Sequence, residues 1–360
     1  MQPLDPTAYP LPDRSDEAWR FTPFNRIAAA LEAAPDGKVV VEHTAPAGVT
    51  VTTVDRSDDR FGALLQPTDR WTAEAMAGFE RGTAVTIPRG FVGEEPIVLT
   101  IRGEGGRAYG HLLVDVEPEA EAIVVVDHSG TATFLANAEI RVGQGARLTF
   151  VSLQDWAPGS IHLGTHVAEV GRDAHFTSII ATLGGDLVRL VPQVRFSGSG
   201  GEAELLGLFF ADGGQHLEHR LFIDHNQPHC RSRVTYKGAL QGEDAHSVWV
   251  GDVFIRANAV GTDTYEVNRN LILNDGARAD SIPNLEIETG EVMGAGHASA
   301  TGRFDDLQLF YLQSRGIAAD EARRLVVRGF FAEVLERIAV PDLRARLASE
   351  LEAEIDRAVL

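Results

Sequence analysis

One short signal returns between Gly143 and Ala277: a turn of glycine or acidic residues that runs into alanine. It occurs as Gly143-Gln144-Gly145-Ala146, Gly171-Arg172-Asp173-Ala174, Gly201-Glu202-Ala203, Gly242-Glu243-Asp244-Ala245 and Asp275-Gly276-Ala277. Runs rich in β-branched residues fill the intervals, and the five alanines stand 28, 29, 42 and 32 residues apart. A unit of roughly 20 to 50 residues, made of a turn and short strands, cannot bury its own apolar side, whereas stacked copies can. The spacing therefore predicts a β-solenoid. On this reading the 42-residue interval carries a histidine-rich excursion from His216 to Cys230. A β-sandwich of irregular hairpins gives the same local signals and stands as the alternative.

The flanks follow other rules. Residues 1 to 14 hold four of the sixteen prolines and no periodic pattern, so an extended arm is expected there. Thr22 is placed to cap a helix that starts at Pro23 and turns Phe24, Ile27, Ala28 and Leu31 to one side before Pro35 ends it. Val39 to Glu42 and Val49 to Val54 read as strands, and Thr68 to Phe79 as a weaker helix. Past Arg303, Asp305 or Asp306 can cap a short helix that Gly316 ends. Val326, Val327, Phe330, Phe331, Val334 and Ile338 then share one side of a longer helix, and Leu343, Leu347, Leu351 and Ile355 form a stripe at intervals of four. Gly329 inside the longer helix costs about 1 kcal/mol relative to alanine and implies a close neighbour. The expected organisation is a mixed cap over 1–95, a β-helix core over 96–303 and a helical region over 304–360.

Composition narrows the function. With 52 acidic against 32 basic residues the net charge is −20, which repels phosphate backbones, so nucleic acid is not an expected partner. No apolar run approaches the ~20 residues that span a bilayer, and the proline-interrupted, acidic start does not read as a signal peptide, so a cytoplasmic protein without membrane attachment is expected. The single cysteine, Cys230, excludes an internal disulfide framework and a site built from thiolates alone, which needs about four sulfurs.

The stretch from Asn284 to Arg315, N-L-E-I-E-T-G-E-V-M-G-A-G-H-A-S-A-T-G-R-F-D-D-L-Q-L-F-Y-L-Q-S-R, carries the switch from strand to helix around one histidine, His297. Together with E-A-R-R-L-V-V-R-G-F-F-A-E-V at 321–334, Glu17-Ala18-Trp19-Arg20-Phe21-Thr22-Pro23, Asp224-His225-Asn226, Tyr236-Lys237-Gly238 and Asn268 to Leu273, it resembles the SufB/SufD family of iron–sulfur cluster assembly proteins, and SufD more closely. The resemblance covers most of the chain and is most specific in its C-terminal third. It implies a right-handed parallel β-helix core and a non-catalytic scaffold that works with a SufB-like subunit and a SufC-like ATPase to build clusters for apoprotein acceptors. It also admits a reduced flavin in the complex and a homodimer of the isolated chain.

By residue type alone, a histidine among glycines and alanines reads first as structural. The resemblance instead matches His297 to the SufD histidine implicated in cluster assembly against SufB, and neutral imidazole is a common iron ligand. Ala279 stands where SufB carries its functional cysteine, and Ala298 where SufB has a glutamate, so thiolate and carboxylate would come from the partner. The chain has no phosphate-cradling G-x-x-x-x-G-K-[ST], and the resemblance assigns ATPase docking to the C-terminal helices, at Arg328, Phe330, Phe331 and Val334. His216, His219, His225, His229 and Cys230 could hold a metal, but their spacing fits no standard finger and strand alternation splits them between faces, which favours structural roles. Two rival functions remain: a β-helix enzyme acting on polysaccharide, against which the 7% aromatic content and lack of a carboxylate cluster argue, and a self-sufficient SufB-like scaffold, against which the single cysteine argues.

Overall fold

The computed structural model describes residues 5–358 apart from 14, 33, 305 and 339. Asp305 and the side chains of Leu31 and Asp306, expected to cap a helix or to be buried, lie outside the described residues. Chain order begins α1 (Phe24–Glu32), β1 (Val39–Thr44), β2 (Thr50–Asp55), α2 (Arg70–Gly78) and β3 (Arg81–Ile87). Two long strands, β4 (Ile97–Val116) and β5 (Glu121–Val142), are followed by β6 (Arg147–Trp156), β7 (Ile161–Val170), β8 (His175–Thr182), β9 (Leu187–Phe196) and β10 (Glu202–Ala211). Then come β11 (His216–His225), β12 (Arg231–Leu240), β13 (His246–Ile255), β14 (Thr262–Ile272), β15 (Arg278–Ile287) and β16 (Val292–Arg303). Helices α3 (Asp306–Ser314), α4 (Ala319–Glu336) and α5 (Pro341–Ala358) complete the order.

From β4 to β16 the strands pair with one another in parallel; β4 pairs β5 and β5 pairs β6 directly, and every other pairing skips one strand, giving the order β15-β13-β11-β9-β7-β5-β6-β8-β10-β12-β14-β16. This is a parallel β-solenoid with two strands per turn, and it excludes the hairpin sandwich. Odd strands stack on one wall and even strands on the other; β5 is long enough to belong to both, pairing with β6 through its first half and β7 through its second. Antiparallel β1 and parallel β3 cover β4 and close the first turn.

The recurring alanines belong to two different corners. Ala120, Ala146, Ala174, Gly201 and Cys230 stack at the corner that leads into the even wall, each carbonyl accepting from an amide at the start of the strand one turn on. The Ala245 carbonyl accepts in the same pattern from the first amide of β15, above Gln215 and Asp186, on the other corner. The 42-residue interval therefore spans a change of corner. His216 to Cys230 is no excursion: it is β11 and the turn after it. Within one wall the turns repeat regularly, for Arg147 pairs with His175, His175 with Glu202 and Glu202 with Arg231.

Strand alternation supplies three apolar layers. On β10, Ala203, Leu205, Phe209 and Ala211 fill the solenoid interior, while Leu206, Leu208 and Phe210 point outward. Close approach inside demands glycine: a Cβ on residue 238 would lie 1.8 Å from the Phe209 ring of the neighbouring turn. The outward layer of the even wall is covered by Val327, Phe331, Val334 and Ile338 of α4 and its end and by Leu343, Leu347, Leu351 and Ile355 of α5, all buried. Lys237 fixes α4 there, its Nζ 2.6 Å from Glu333 Oε2 and donating to the Phe330 carbonyl at 2.7 Å. Gly329 has open space around it, so the close neighbour expected from sequence is absent.

Trp19, Ile27 and Trp71 cover the odd wall over Leu135, Leu163 and Leu187. Ala28, expected on the buried side of α1, is exposed. Thr22 spends its hydroxyl on a different task from the expected cap, donating to Glu218 Oε2 at 2.7 Å. Glu218 is fully buried, and its other partners are Arg189 at 3.2 Å, His216 at 3.0 Å and Arg220 at 3.6 Å. Arg189 also lies 3.7 Å over the Trp19 ring and donates to the Ala18 carbonyl at 3.1 Å. The Glu17 to Pro23 motif is thus fastened by one buried charge cluster.

Burial alone would push the Glu218 carboxyl up, but Arg189, then His216 and Arg220, hold it down at about 2. A carboxyl lowered in the folded state stabilises above its unfolded value of 4.5, and that stabilisation is lost as pH falls from 4.5 toward 2. Glu218→Gln should therefore cost about 3 kcal/mol or more near pH 7, the scale for breaking a buried ion pair, with the gap to wild type narrowing below pH 4.5. Urea unfolding of both proteins across pH 3 to 7 measures this; a gap independent of pH would contradict it.

Candidate functional site

The solenoid is closed at its first turn and open at its last. β15 and β16 end the two walls, and among the described residues no strand pairs with their outer edges. β16 lies in register on β14, so Ala295, His297, Ser299 and Thr301 stand over the inward positions Thr264, Glu266, Asn268 and Asn270. His297 thus occupies an inward-facing position with no further turn above it, which leaves its side chain 42% exposed. Gly296 beside it sits against the Tyr265 ring, where an added Cβ would approach within 2.8 Å.

Most polar groups below the opening satisfy one another. Asn270 Nδ2 donates to Asn268 Oδ1 at 2.9 Å and to Ser281 Oγ at 2.8 Å, and Ser281 donates to Asn268 Oδ1 at 2.7 Å. Glu266 stands outside this network. Its side chain is 2% exposed, neither carboxyl oxygen has a hydrogen-bond partner, and His297 stands above it with Nδ1 3.9 Å from Oε1. The carboxyl rests where Gly251 leaves a hollow against Trp249: a Cβ on residue 251 would lie 2.3 Å from Glu266 Oε2 and 2.5 Å from the indole. Burial, aided by the Asp252 carboxylate, pushes Glu266 up to about 8.

The histidine-rich group does not come together. His219 and His225 face the interior, where His219 meets Thr182 at 3.0 Å and His225 meets Ser232 at 2.9 Å. Burial drives their pKa values down to about 3 and about 4, so both stay neutral. His216 faces outward under the N-terminal segment with Glu218 and His246. His229 is exposed in a left-handed turn conformation with φ of 59°. Cys230 fills its corner, fully buried, its thiol pushed up to about 11 by burial. Among the described residues no three of His, Cys, Asp and Glu are grouped to hold a metal ion. A cavity of about 450 Å³, lined in part by His128, His162 and His166, lies at the other end of the solenoid beneath β1 and β3 and does not include His297.

Ala279 lies on β15, half-buried against the interior core, next to Asp280, which meets His246 at 2.7 Å. Of the residues expected to dock an ATPase, Phe331 and Val334 are fully buried under α4, Phe330 is half-buried beneath Lys237, and Arg328 pairs with Glu321 and Glu352. The exposed apolar side chains of this region are instead Leu307, Phe310 and Tyr311 of α3, with Leu325 of α4. Glu266 escaped the sequence reading because Thr264, Glu266, Asn268 and Asn270 form a wholly polar alternate set, which by pattern belongs outside.

A family model described as SUF system FeS cluster assembly, SufBD core domain, matches residues 99–330. An iron–sulfur cluster assembly SufBD family protein of Mycobacterium tuberculosis is 54% identical over 98% of this chain and 91% of its own length. The iron–sulfur cluster assembly protein SufD of Escherichia coli is 26% identical over 95% of this chain and 88% of its own, and SufD of Bacillus subtilis is 26% identical over 79% and 66%. Among the described residues no helix is long and apolar enough to cross a membrane.

The isolated carboxyl of Glu266 has a stability signature opposite to that of Glu218. A carboxyl raised in the folded state stabilises fully below its unfolded value of 4.5, and that contribution is lost as pH rises through 8. Glu266→Gln should therefore match wild type near pH 4.5 and become the more stable protein by pH 8. Thermal unfolding of the two proteins at pH 5 and 8 provides the comparison, and an unchanged difference would show that Glu266 has a partner in solution.

Proposed function

Because the chain belongs to the SufBD family of iron–sulfur cluster assembly proteins, we propose that it is a SufD-like scaffold subunit that acts with a SufB-like subunit and a SufC-like ATPase, with iron and sulfide as its cargo. The observation that carries this reading is the placement of His297. It is accessible, it sits among residues too small to block an approaching thiolate, and it flanks two strand edges that offer unpaired backbone to another chain. Open edges are templates for pairing, so a partner that continues the walls would meet His297 at the junction. The same edges would join two copies of an isolated chain.

This chain supplies an imidazole there and no thiolate. Cys230 is buried in a corner against the Gly198 and Pro228 carbonyls, so the sulfur ligands come from the partner. That arrangement also disfavours a self-sufficient scaffold. His297→Ala should leave folding and complex formation intact, because the side chain has little packing to lose, while cluster formation in the assembled complex falls about 10-fold or more. Anaerobic reconstitution of the co-purified complex, followed by cluster absorbance, reads this; a normal rate of cluster formation would return His297 to a structural role.

The ATPase surface we assign to Leu307, Phe310 and Tyr311 of α3 with Leu325, since Phe331 and Val334 serve the protein's own core. Phe331→Ala should cost about 3 to 5 kcal/mol of stability. Phe310→Ala, at a position 68% exposed, should change stability by under about 0.5 kcal/mol and yet weaken binding of the ATPase subunit. Calorimetric titration with that subunit distinguishes the two effects, and unchanged affinity for Phe310→Ala would place the docking surface elsewhere.

A further inference from the structure

We propose that Glu266 is a metal ligand, forming with His297 the donor pair through which this chain holds a ferrous ion at the open end of the solenoid. The inference rests on the reading of His297 given above and adds a residue from the turn below. Four observations carry it. The pair is set by backbone register, Glu266 beneath His297 on adjacent parallel strands. The carboxyl oxygens are buried and unpartnered although Asn268, Asn270 and Ser281 nearby all bond one another. Gly251 provides the hollow that holds the carboxyl in place, since any side chain at that position would displace it. The 3.9 Å between Nδ1 and Oε1 is too long for a hydrogen bond.

That gap suits a bridging ion. Two bonds of about 2.1 Å, at angles between octahedral and tetrahedral, set donor atoms about 3.0 to 3.4 Å apart. Closing from 3.9 Å needs a movement under about 1 Å, and His297, being 42% exposed, is free to make it. One imidazole nitrogen with one carboxylate oxygen is a donor set suited to ferrous iron. Two ligands make half a site: the remaining positions face the unpaired end, where a partner's thiolates can complete it. This agrees with the lack, among the described residues, of any grouping of three ligand side chains in the chain alone.

The test uses the full, tag-free chain titrated with Co²⁺, whose d–d absorption reports coordinated nitrogen and oxygen without any cluster activity. Wild type should bind one Co²⁺ at this site, and Glu266→Gln and His297→Ala should each weaken it about 10- to 100-fold. The double variant should be little weaker than either single one. Glu266→Asp keeps the charge but withdraws the oxygens by one methylene, so it should weaken binding too. Circular dichroism of each variant checks that the fold persists. No site-specific Co²⁺ binding by wild type, or Glu266→Gln binding as wild type does while His297→Ala does not, would overturn the role of Glu266; the latter leaves the reading of His297 standing. Weakened Co²⁺ binding in both variants, with normal cluster formation by His297→Ala in the complex, would instead sink the functional reading and keep the ion site.

Discussion

The structure depends on one constraint: each turn of the solenoid satisfies its backbone through the turns on either side of it. Parallel, in-register stacking makes every inward position lie over another inward position, so a core can run the length of the walls from repeated small choices of side chain. It also makes the two ends unequal to the middle. The first turn is covered by β1 and β3, whereas β15 and β16 carry free edges among the described residues. The outer faces raise a separate problem, because Leu206, Leu208 and Phe210 on one wall and Leu135, Leu163 and Leu187 on the other are apolar and need cover. The terminal segments supply it, and so the N-terminal motif and the C-terminal helices are best understood as lids on walls.

Two buried glutamates show how the same side chain is put to opposite use. Glu218 faces outward beneath the N-terminal lid and is met by Arg189, His216 and the Thr22 hydroxyl, so it remains ionised and ties the lid to the wall. Glu266 faces inward beneath the open end and is met by none of these. A carboxyl kept from partners destabilises the protein that carries it, and such groups persist where function draws on them. The neighbouring Asn268, Asn270 and Ser281 show that partners were within reach of that region's backbone and are spent on one another.

The sequence discloses the repeat but not its phase. Glycine-to-alanine turns identify a solenoid because corners need tight turns and small side chains, yet the same chemistry serves both corners, so Ala203 and Ala245 look like successive members of one series when they belong to different walls. Apolar stripes on α4 and α5 were legible because helical period and burial agree. What faces a partner was not, since Phe331 beneath the helix and Phe310 on open surface look alike in sequence; only the position of Lys237 and the even wall decides which is core. His297 was legible through its motif. Glu266 was not, because a polar alternate set is ordinarily the solvent side of a strand, and here the open end reverses that expectation.

An interior polar pair deep in the solenoid, such as His219 with Thr182 or His225 with Ser232, is enclosed by turns above and below and has no face open to another chain. The same kind of set at the last turn has neighbours on one side only, so it must be completed from outside. Inward-facing chemistry becomes interface chemistry without any change in the strand that carries it. On the proposed reading, a site formed this way would exist only while a partner continued the walls, which would couple assembly of the subunits to assembly of the cargo site: one chain holds His297 and Glu266 in a fixed relation, and the remaining ligands would arrive with the strand edges docked beside them.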